Sequence, residues 1–342
     1  MNRVGVIGHF GFGLDLSNGQ TIKTKIVTTG LERYCKEKVV TVDTHGGIKM
    51  IIPIVIRVIN LLRTCKNVIV MLTENGLKVC VPILCVFNRL FKRKLHYVVI
   101  GGWLPEYLLN HKTIKQGLKR FDGIYVETEH MRKTLKKMGF NNVFRMPNCK
   151  YLHIIDDNNE PEFPYKLCTF SRVMKEKGIM DAVDAVKQVN TLNNEVVCGL
   201  DIYGPIEPNQ KEWFQSLMQS FPSYIKYCGV IPFDKSSEIL KKYYCMLFPT
   251  YYSGEGFPGT AIDAFSAGIP VVASNWKYNE EIIHNGETGL IFQVQDLDSL
   301  VKRISELLEH PEFRKEMHHR CIEEAKKYQP DSVLQTLFVN LS

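Results

Sequence analysis

Residues 252–274 read Tyr-Ser-Gly-Glu-Gly-Phe-Pro-Gly-Thr-Ala-Ile-Asp-Ala-Phe-Ser-Ala-Gly-Ile-Pro-Val-Val-Ala-Ser, and this stretch decides the fold of the second half of the chain. A glycine-rich turn leads into a run of small residues that predicts a helix from about Thr260 to Gly268. An apolar strand, Pro270–Ser274, follows the helix. Two carboxylates, Glu255 and Asp263, stand eight positions apart, one before the helix and one a turn inside it.

The start of this helix is a candidate anion site, because the first backbone N–H groups of a helix have no partner within it. The backbone positions expected around a bound diphosphate are Gly256, Phe257, Gly259 and Thr260. Carboxylates on both sides of the anion can accept hydrogen bonds from sugar hydroxyls, so the pattern fits a nucleotide sugar, with a hexose, a diphosphate and a ribose. The alternative is an ordinary strand–helix–strand unit with a solvated glutamate in its loop.

A second stretch, residues 171–178, reads Ser-Arg-Val-Met-Lys-Glu-Lys-Gly and follows the first apolar strand of the second half. Arg172 and Lys177 can both point at one anion across a strand-to-helix loop, where cations would stabilise a leaving nucleoside diphosphate. Two solvated basic residues on a surface loop are the alternative. No carboxylate pair suited to a divalent ion follows a strand, so we expect no metal and no cofactor.

Together these stretches resemble the donor site of glycosyltransferase family 4, retaining enzymes of the GT-B fold, in which Glu, seven residues and Glu form the signature. Asp263 stands for the second Glu, and Ser171 for the Gly of the family's Gly-Arg-x-x-x-x-Lys-Gly element. The resemblance implies that Glu255 holds the transferred sugar, that Arg172 and Lys177 bind the diphosphate and that Asp263 binds the ribose. It also implies retention by same-face displacement, in which the leaving phosphate oxygen deprotonates the acceptor.

The alternation of apolar runs with helical periodicity predicts an α/β architecture of two Rossmann-like, doubly wound parallel sheets facing a cleft. We expect an acceptor-binding domain over 1–160 and a donor-binding domain over 161–327, joined at the polar stretch Asp156–Pro161. In GT-B enzymes the terminal helix crosses back onto the first domain, which is expected here for residues 328–342.

Charge is distributed unevenly: residues 1–160 hold 25 Lys and Arg against 12 Asp and Glu, a net charge of +13. An anionic lipid surface or a phosphorylated substrate is a suitable partner for so basic a segment, whereas no recognisable binding module favours nucleic acid. The basic residues on predicted helices are Lys78, Arg89, Lys92, Arg93 and Lys94, with Arg132, Lys133, Lys136 and Lys137 on another. These predict peripheral contact with an anionic membrane or, alternatively, a solvated basic rim around packed helices. Ten scattered cysteines without metal spacing, and no signal peptide, predict a cytoplasmic protein, on the inner face of the cell membrane if that contact is made.

Residues outside the two main stretches are less specific. The loop after the first strand, with Gly13, is expected to border the donor, while a dinucleotide interpretation using Asp43 fails on glycine spacing. Tyr203 and Gly229 end strands and are candidate walls for the nucleobase or simple turn residues. Trp103 is a candidate for stacking on an acceptor sugar or for packing, and Glu127 for binding an acceptor hydroxyl or belonging to a helix cap.

The first half also resembles bacterial enzymes that build capsule, O-antigen or exopolysaccharide, through Gly-Gln-Thr, Gly-Gly-Trp-Leu-Pro and Val-Glu-Thr-Glu-His-Met. This resemblance implies a polyprenyl-linked glycan acceptor. Two other functions stay open: a non-catalytic nucleotide-sugar-binding subunit of a polysaccharide assembly complex, and a nucleotide-sugar epimerase of the same fold.

Overall fold

The computed structural model describes residues 3–12, 19–46, 51–154, 162–232 and 235–341. The chain divides into two compact units, Met1–Tyr151 with Tyr328–Ser342 and Leu152–Lys327. The predicted linker, Asp156–Pro161, lies outside the described residues. Each unit is built on one parallel sheet in which six strands are described, so the prediction of two doubly wound α/β units is confirmed.

The first unit alternates strands and helices. Its strands are β1 (Val4–Gly8), β2 (Val40–Asp43), β3 (Asn67–Met71), β4 (Lys94–Val98), β5 (Gly123–Val126) and β6 (Val143–Arg145), in the order β2-β1-β3-β4-β5-β6. Its helices up to this point are α1 (Gly19–Cys35), α2 (Ile51–Thr64), α3 (Glu74–Phe91), α4 (Leu104–Asn110), α5 (Lys112–Leu118) and α6 (Glu129–Lys137). β1, β3 and β5 are buried along their whole length, as expected of short apolar strands covered on both faces. β6, which has three residues, was not predicted from the sequence.

The second unit follows the same plan. Its strands are β7 (Tyr165–Phe170), β8 (Cys198–Tyr203), β9 (Ile225–Gly229), β10 (Cys245–Phe248), β11 (Val271–Ser274) and β12 (Gly289–Phe292), in the order β12-β11-β10-β7-β8-β9. Its helices are α7 (Ile179–Asn193), α8 (Lys211–Met218), α9 (Ser236–Leu240), α10 (Gly259–Ser266), α11 (Asn279–Ile282), α12 (Leu297–Glu309) and α13 (Pro311–Lys326). The predicted helix over Thr260–Gly268 is α10, which ends two residues early because Gly268 adopts a left-handed conformation with φ +67°.

The strand order of the second unit creates a topological switch point. From β7 the chain proceeds outward through β8 to β9, and then returns to the other side of β7 with β10. In open parallel sheets, the carboxyl ends of the two strands that flank such a reversal are the usual ligand site, because their loops diverge and leave a crevice. The loops after β7 and β10 contain the two stretches on which the sequence analysis rests.

The end of the chain packs on α1 of the first unit. It forms α14 (Pro330–Val333), α15 (Gln335–Phe338) and a 3₁₀ turn, where the sequence predicted one helix. A Cβ at Gly30 of α1 would lie 2.3 Å from the Leu334 side chain, so the absence of a side chain there permits the close approach. Phe338 stacks on Tyr34 of α1 with ring centroids 4.2 Å apart.

Candidate functional site

A lysine and a glutamate meet at the switch point of the second unit. Lys177 ends a 3₁₀ turn after β7, and Glu255 lies in the loop after β10. Lys177 Nζ donates to Glu255 Oε2 at 2.5 Å, with 12 % and 9 % of the two side chains exposed. Thr250 Oγ1 donates to the same carboxylate oxygen at 2.9 Å. The fold therefore brings together two of the predicted catalytic residues, and Thr250, which the sequence analysis did not single out, orients the carboxylate.

Aromatic rings and backbone hydrogen bonds fix this pair in place. Lys177 Nζ lies 5.1 Å from the ring centroid of Tyr252 and 5.5 Å from that of Phe248, within the range of cation–π attraction. The Tyr252 carbonyl accepts a hydrogen bond from Trp276 Nε1 at 2.8 Å. The Tyr252 N–H donates to Thr250 Oγ1 at 3.2 Å. The loop is thus anchored at both Thr250 and Tyr252.

Glycine at position 178 lets the two loops touch. Gly178 has φ +68°, and a Cβ there would lie 2.2 Å from the carbonyl oxygen of Pro249 at the end of β10. Next to this contact, the Tyr251 N–H donates to the Glu176 carbonyl at 2.8 Å. The glycine that closes the Arg-x-x-x-x-Lys-Gly pattern therefore has a structural reason, since any side chain would push Lys177 away from Glu255.

The predicted anion site is the start of α10. Pro258 precedes the helix in an extended conformation with φ −69° and ψ 114°. Gly259 and Thr260 are half-buried, whereas Gly256 and Phe257 are buried. Asp263 is 3 % exposed, one turn inside the helix. Helix-start amides and the helix dipole favour an anion at this point.

Arg172, the other predicted diphosphate ligand, is paired with a glutamate in this structure. Its Nη1 donates to Glu207 Oε2 at 2.8 Å, and 48 % of its side chain is exposed. Arg172 and Lys177 are therefore each held by a separate carboxylate in this structure. An anion that binds both cations would have to draw Arg172 from Glu207, a residue that the sequence analysis did not single out.

The two candidate nucleobase contacts, Tyr203 and Gly229, end neighbouring strands, and a backbone hydrogen bond links the two chain segments there. Tyr203 and Tyr243 share a hydrogen bond of 2.7 Å between their hydroxyl groups, and burial raises the pKa of Tyr203 to about 12. The Gly204 N–H donates to the Gly229 carbonyl at 2.9 Å. A Cβ at Gly204 would lie 1.8 Å from the Ser171 carbonyl oxygen, whereas a Cβ at Gly229 would meet nothing within 4 Å. Gly204 thus has a structural role, while the space at Gly229 is open.

In the first unit, Glu127 is buried against a lysine. Lys23 of α1 forms an ion pair with Glu127 Oε1, and both side chains are 3 % exposed. Lys23 Nζ also donates to the Val99 carbonyl at 3.1 Å. The capping alternative belongs to the next residue, because Thr128 Oγ1 accepts the Met131 N–H at 3.2 Å. A sequence signal for Lys23 existed: it shares the helical face of Val27 and Leu31, both fully buried.

Two other first-half predictions have clear surroundings. Trp103 Nε1 donates to the Ile100 carbonyl at 2.7 Å, and its half-buried ring meets the Tyr107 ring edge-on at 5.2 Å. Asp43 accepts backbone N–H groups from Phe10 at 3.0 Å and Phe12 at 3.1 Å. Burial, which raises the pKa of Asp43, is outweighed by these backbone bonds, so its pKa lies below the usual value. Asp43 therefore holds the loop after β1, and the predicted Gly13 lies outside the described residues.

The described residues contain neither a metal-binding cluster nor a helix that could span a membrane. Neither unit contains, among these residues, a cluster of three or more His, Cys, Asp or Glu side chains able to hold a metal ion. The helices described above include none with the length and apolar character needed to cross a bilayer.

Comparison with known proteins gives a family and a fold. The family model described as "Glycosyl transferases group 1" matches residues 153–328. Among curated proteins, the chain is 28 % identical over 105 residues to O-antigen chain mannosyltransferase B of Escherichia coli, covering 31 % of this chain and 26 % of that protein. It is 24 % identical over 174 residues to the capsular polysaccharide biosynthesis glycosyltransferase CapM of Staphylococcus aureus. That match covers 50 % of this chain and 42 % of CapM. The chain thus spans less than half the length of these two relatives.

The chain also resembles a solved structure along its whole length. HepE of Anabaena in complex with UDP matches with a TM-score of 0.78 and 14 % identity, and 99 % of each chain is covered. At that identity the likeness establishes the fold alone. It confirms the GT-B prediction.

Proposed function

We propose that this chain, which belongs to the glycosyl transferases group 1 family, transfers a sugar from a nucleoside diphosphate to a glycan acceptor in the synthesis of a surface polysaccharide. The observation that carries the proposal is the Lys177–Glu255 pair at the switch point of the second unit. A cation and an anion in contact, next to a helix start, offer one group for a phosphate and one for a sugar. The names of the curated relatives, an O-antigen mannosyltransferase and a capsule glycosyltransferase, support the polysaccharide setting.

In the proposed reaction, Lys177 exchanges partners when the donor binds. The diphosphate takes the place of the Glu255 carboxylate at Nζ, and Arg172 leaves Glu207 to join it. Glu255, still held by Thr250, then accepts hydrogen bonds from the sugar hydroxyls and stabilises positive charge at the anomeric carbon. Preorganised charges of this kind are worth about 3–4 kcal/mol each in active sites.

The remaining donor contacts are proposed from position. The backbone of Gly256, Phe257, Gly259 and Thr260 would bind phosphate oxygens, and Asp263 would bind the ribose. Tyr203 would contact the nucleobase at the open side of Gly229.

We further propose that the transfer retains the anomeric configuration and requires no metal or other cofactor. Lys177, Arg172 and the start of α10 supply positive charge for the leaving diphosphate, whose oxygen would take the proton of the acceptor hydroxyl. The acceptor is proposed to be a polyprenyl-linked glycan at the cytoplasmic face of the membrane, met by Trp103. A contact of Glu127 with an acceptor hydroxyl would require its ion pair with Lys23 to open.

The test is turnover with a panel of UDP-, GDP- and ADP-sugars, with a lipid-linked acceptor supplied, in the presence and absence of a chelator. The expected result is chelator-insensitive release of one nucleoside diphosphate, lost in Glu255→Ala and Arg172→Ala and kept in Lys175→Ala. Lys175 is the matched control because it lies in the same loop, with its Nζ 5.6 Å from the Trp213 ring centroid. Binding without turnover would favour the binding subunit, conversion of the donor sugar to an epimer would favour the epimerase, and absence of any binding would end the donor-site proposal.

A further inference from the structure

Two neighbouring helices of the first unit expose large apolar side chains to solvent. On α2, Ile52 is 74 % and Ile56 is 63 % exposed. On α3, Val86 is 59 % and Leu90 is 77 % exposed. Each pair is spaced by one helical turn, so each forms a short apolar stripe on one side of its helix. We refer to the exposed sides of α2 and α3, marked by these four residues, as the α2–α3 surface.

These stripes are additional to the faces that form the core. α2 already buries Ile54, Val58 and Leu61, and α3 buries Leu77 and Leu84. α2 and α3 pack against each other, and both connect strands that succeed one another in the same direction across the sheet. With right-handed crossovers they therefore lie in one layer on the same face of the sheet. An apolar stripe on each of two adjacent helices, both turned away from the core, is unusual for a surface that only meets water.

The charges around the stripes are almost all positive. From Ile51 to Lys94 the only acidic residue is Glu74, at the start of α3. The same segment contains eight basic residues: Arg57, Arg63, Lys66, Lys78, Arg89, Lys92, Arg93 and Lys94. Arg57 and Arg89 are exposed and adjoin Ile56 and Leu90 in the sequence. The stripes are therefore bordered by cations with almost no carboxylate among them.

The other basic helix lacks the apolar component. α6 exposes Lys133, Lys136 and Lys137, but its apolar residues Met131 and Leu135 are fully buried. Sequence patterning treated α3 and α6 as equivalent candidates for membrane contact. Exposure separates them, because α6 offers charge alone, whereas α2 and α3 offer charge together with apolar side chains.

We propose that the α2–α3 surface docks on an anionic lipid bilayer, with its four apolar side chains in the boundary between headgroups and acyl chains and its Arg and Lys side chains on lipid phosphates. A fluid bilayer accepts separate apolar stripes without a matching groove. A second copy of the chain fits less well, because residues 51–94 hold eight bases and one acid in each copy, and two such segments would repel one another. This inference deepens the proposed function, since a lipid-linked acceptor would be met at the same membrane.

The experiment is flotation of the full chain, without nucleotide sugar, with vesicles of phosphatidylcholine alone or with added phosphatidylglycerol. We expect binding only to the anionic vesicles, weakened by salt. Ile56→Ser combined with Leu90→Ser should lower the partition coefficient by roughly tenfold or more. Arg89→Gln should lower it roughly fivefold. Leu192→Ser is the matched control, because Leu192 on α7 of the second unit is 63 % exposed and should leave binding unchanged.

The proposal would be overturned if the chain did not bind anionic vesicles, or if the double serine variant bound them as well as the wild type. It would also be overturned if Lys136→Gln combined with Lys137→Gln abolished binding while the double serine variant did not. A dimer in sedimentation that the double serine variant dissociates would favour a second copy as the partner and would likewise overturn it. Nucleoside diphosphate release in solution, measured on the same variants, should match the wild type. Loss of vesicle binding with intact release thus supports the surface. If neither the wild type nor any variant released nucleoside diphosphate, that result would count against the proposed function and would not change the vesicle result.

Discussion

Each unit of the molecule holds a lysine–glutamate pair, and the two pairs differ in where the fold places them. Lys177–Glu255 joins two loops at the switch point of the second sheet. Lys23–Glu127 joins a helix to the end of β5 in the first. Burial alone barely separates them, at 12 % and 9 % exposed against 3 % and 3 %. Their positions in the fold do separate them. The Lys177–Glu255 pair adjoins a helix start suited to an anion, whereas the Lys23–Glu127 pair connects α1 to the sheet and to the Val99 carbonyl.

Because the two pairs are similarly buried but differently placed, a charged pair next to a strand end is not by itself evidence for catalysis. A buried ion pair whose partners satisfy each other is weak evidence for stability, but removing one partner leaves an uncompensated charge. We therefore assign Lys177–Glu255 to ligand exchange and Lys23–Glu127 to structure.

The largest expected effect is on the first-unit pair. Lys23→Met leaves the Glu127 carboxylate buried without its cation, and should lower the free energy of unfolding by about 3–5 kcal/mol in urea denaturation. Combining it with Glu127→Gln should recover much of the loss. Lys177→Met serves as the comparison and should cost less stability, because that pair lies in loops. Equal losses in the two single variants would remove the distinction between the pairs.

The next effect concerns the glycines that let the second-unit loops meet. Gly204→Ala should lower the free energy of unfolding by about 3 kcal/mol, because a residue with φ +133° is strained and its Cβ would collide with the Ser171 carbonyl. Gly229→Ala, at φ +79° in open space, should cost only about 1 kcal/mol. Thermal unfolding of the two variants side by side measures the difference, and similar losses would mean that the close approach does not hold the loops together.

Acid should weaken the first unit through His96. Burial lowers the pKa of His96 to about 4; Asp122 opposes this with a smaller effect, and Lys94 adds slightly to it. Since the folded protein holds this imidazole neutral, the unfolded chain takes up a proton first as the pH falls below about 6.5, and stability declines from there to about pH 4. The contribution at pH 5 should be about 2 kcal/mol relative to pH 7. Denaturation at both pH values should show a smaller decline for His96→Gln than for wild type, and an identical decline would exclude His96 as the cause.

The smallest effect tests how Glu255 is oriented. Thr250→Val removes the hydroxyl that donates to Glu255 Oε2, and should lower kcat/KM by about tenfold, the value of one hydrogen bond to a charged group. Thr250→Ser keeps the donor and should restore most of the activity. If serine and valine act alike, the methyl packing of Thr250 matters and the hydrogen bond does not.

The sequence predicted the second unit better than the first for a physical reason. Glu255, Lys177 and the helix start fall within short segments that each follow a strand and resemble a family signature, so the sequence predicted them at one edge of a sheet. Lys23 and Glu127 are separated by 104 positions and meet only through packing. β6 is too short for a periodic signal, and α2 holds so many apolar residues that which of them face solvent depends on the neighbouring elements.

The most direct measurement of the account compares Glu255→Gln with Glu127→Gln in nucleoside diphosphate release and in thermal unfolding. Both substitutions remove one negative charge and keep the side-chain size. The account predicts that Glu255→Gln loses on the order of 10²–10³ in kcat with little change in melting temperature. It predicts that Glu127→Gln unfolds at a lower temperature but turns over at the wild-type rate where it is folded. A stable, inactive Glu127→Gln protein beside an active Glu255→Gln protein would contradict it.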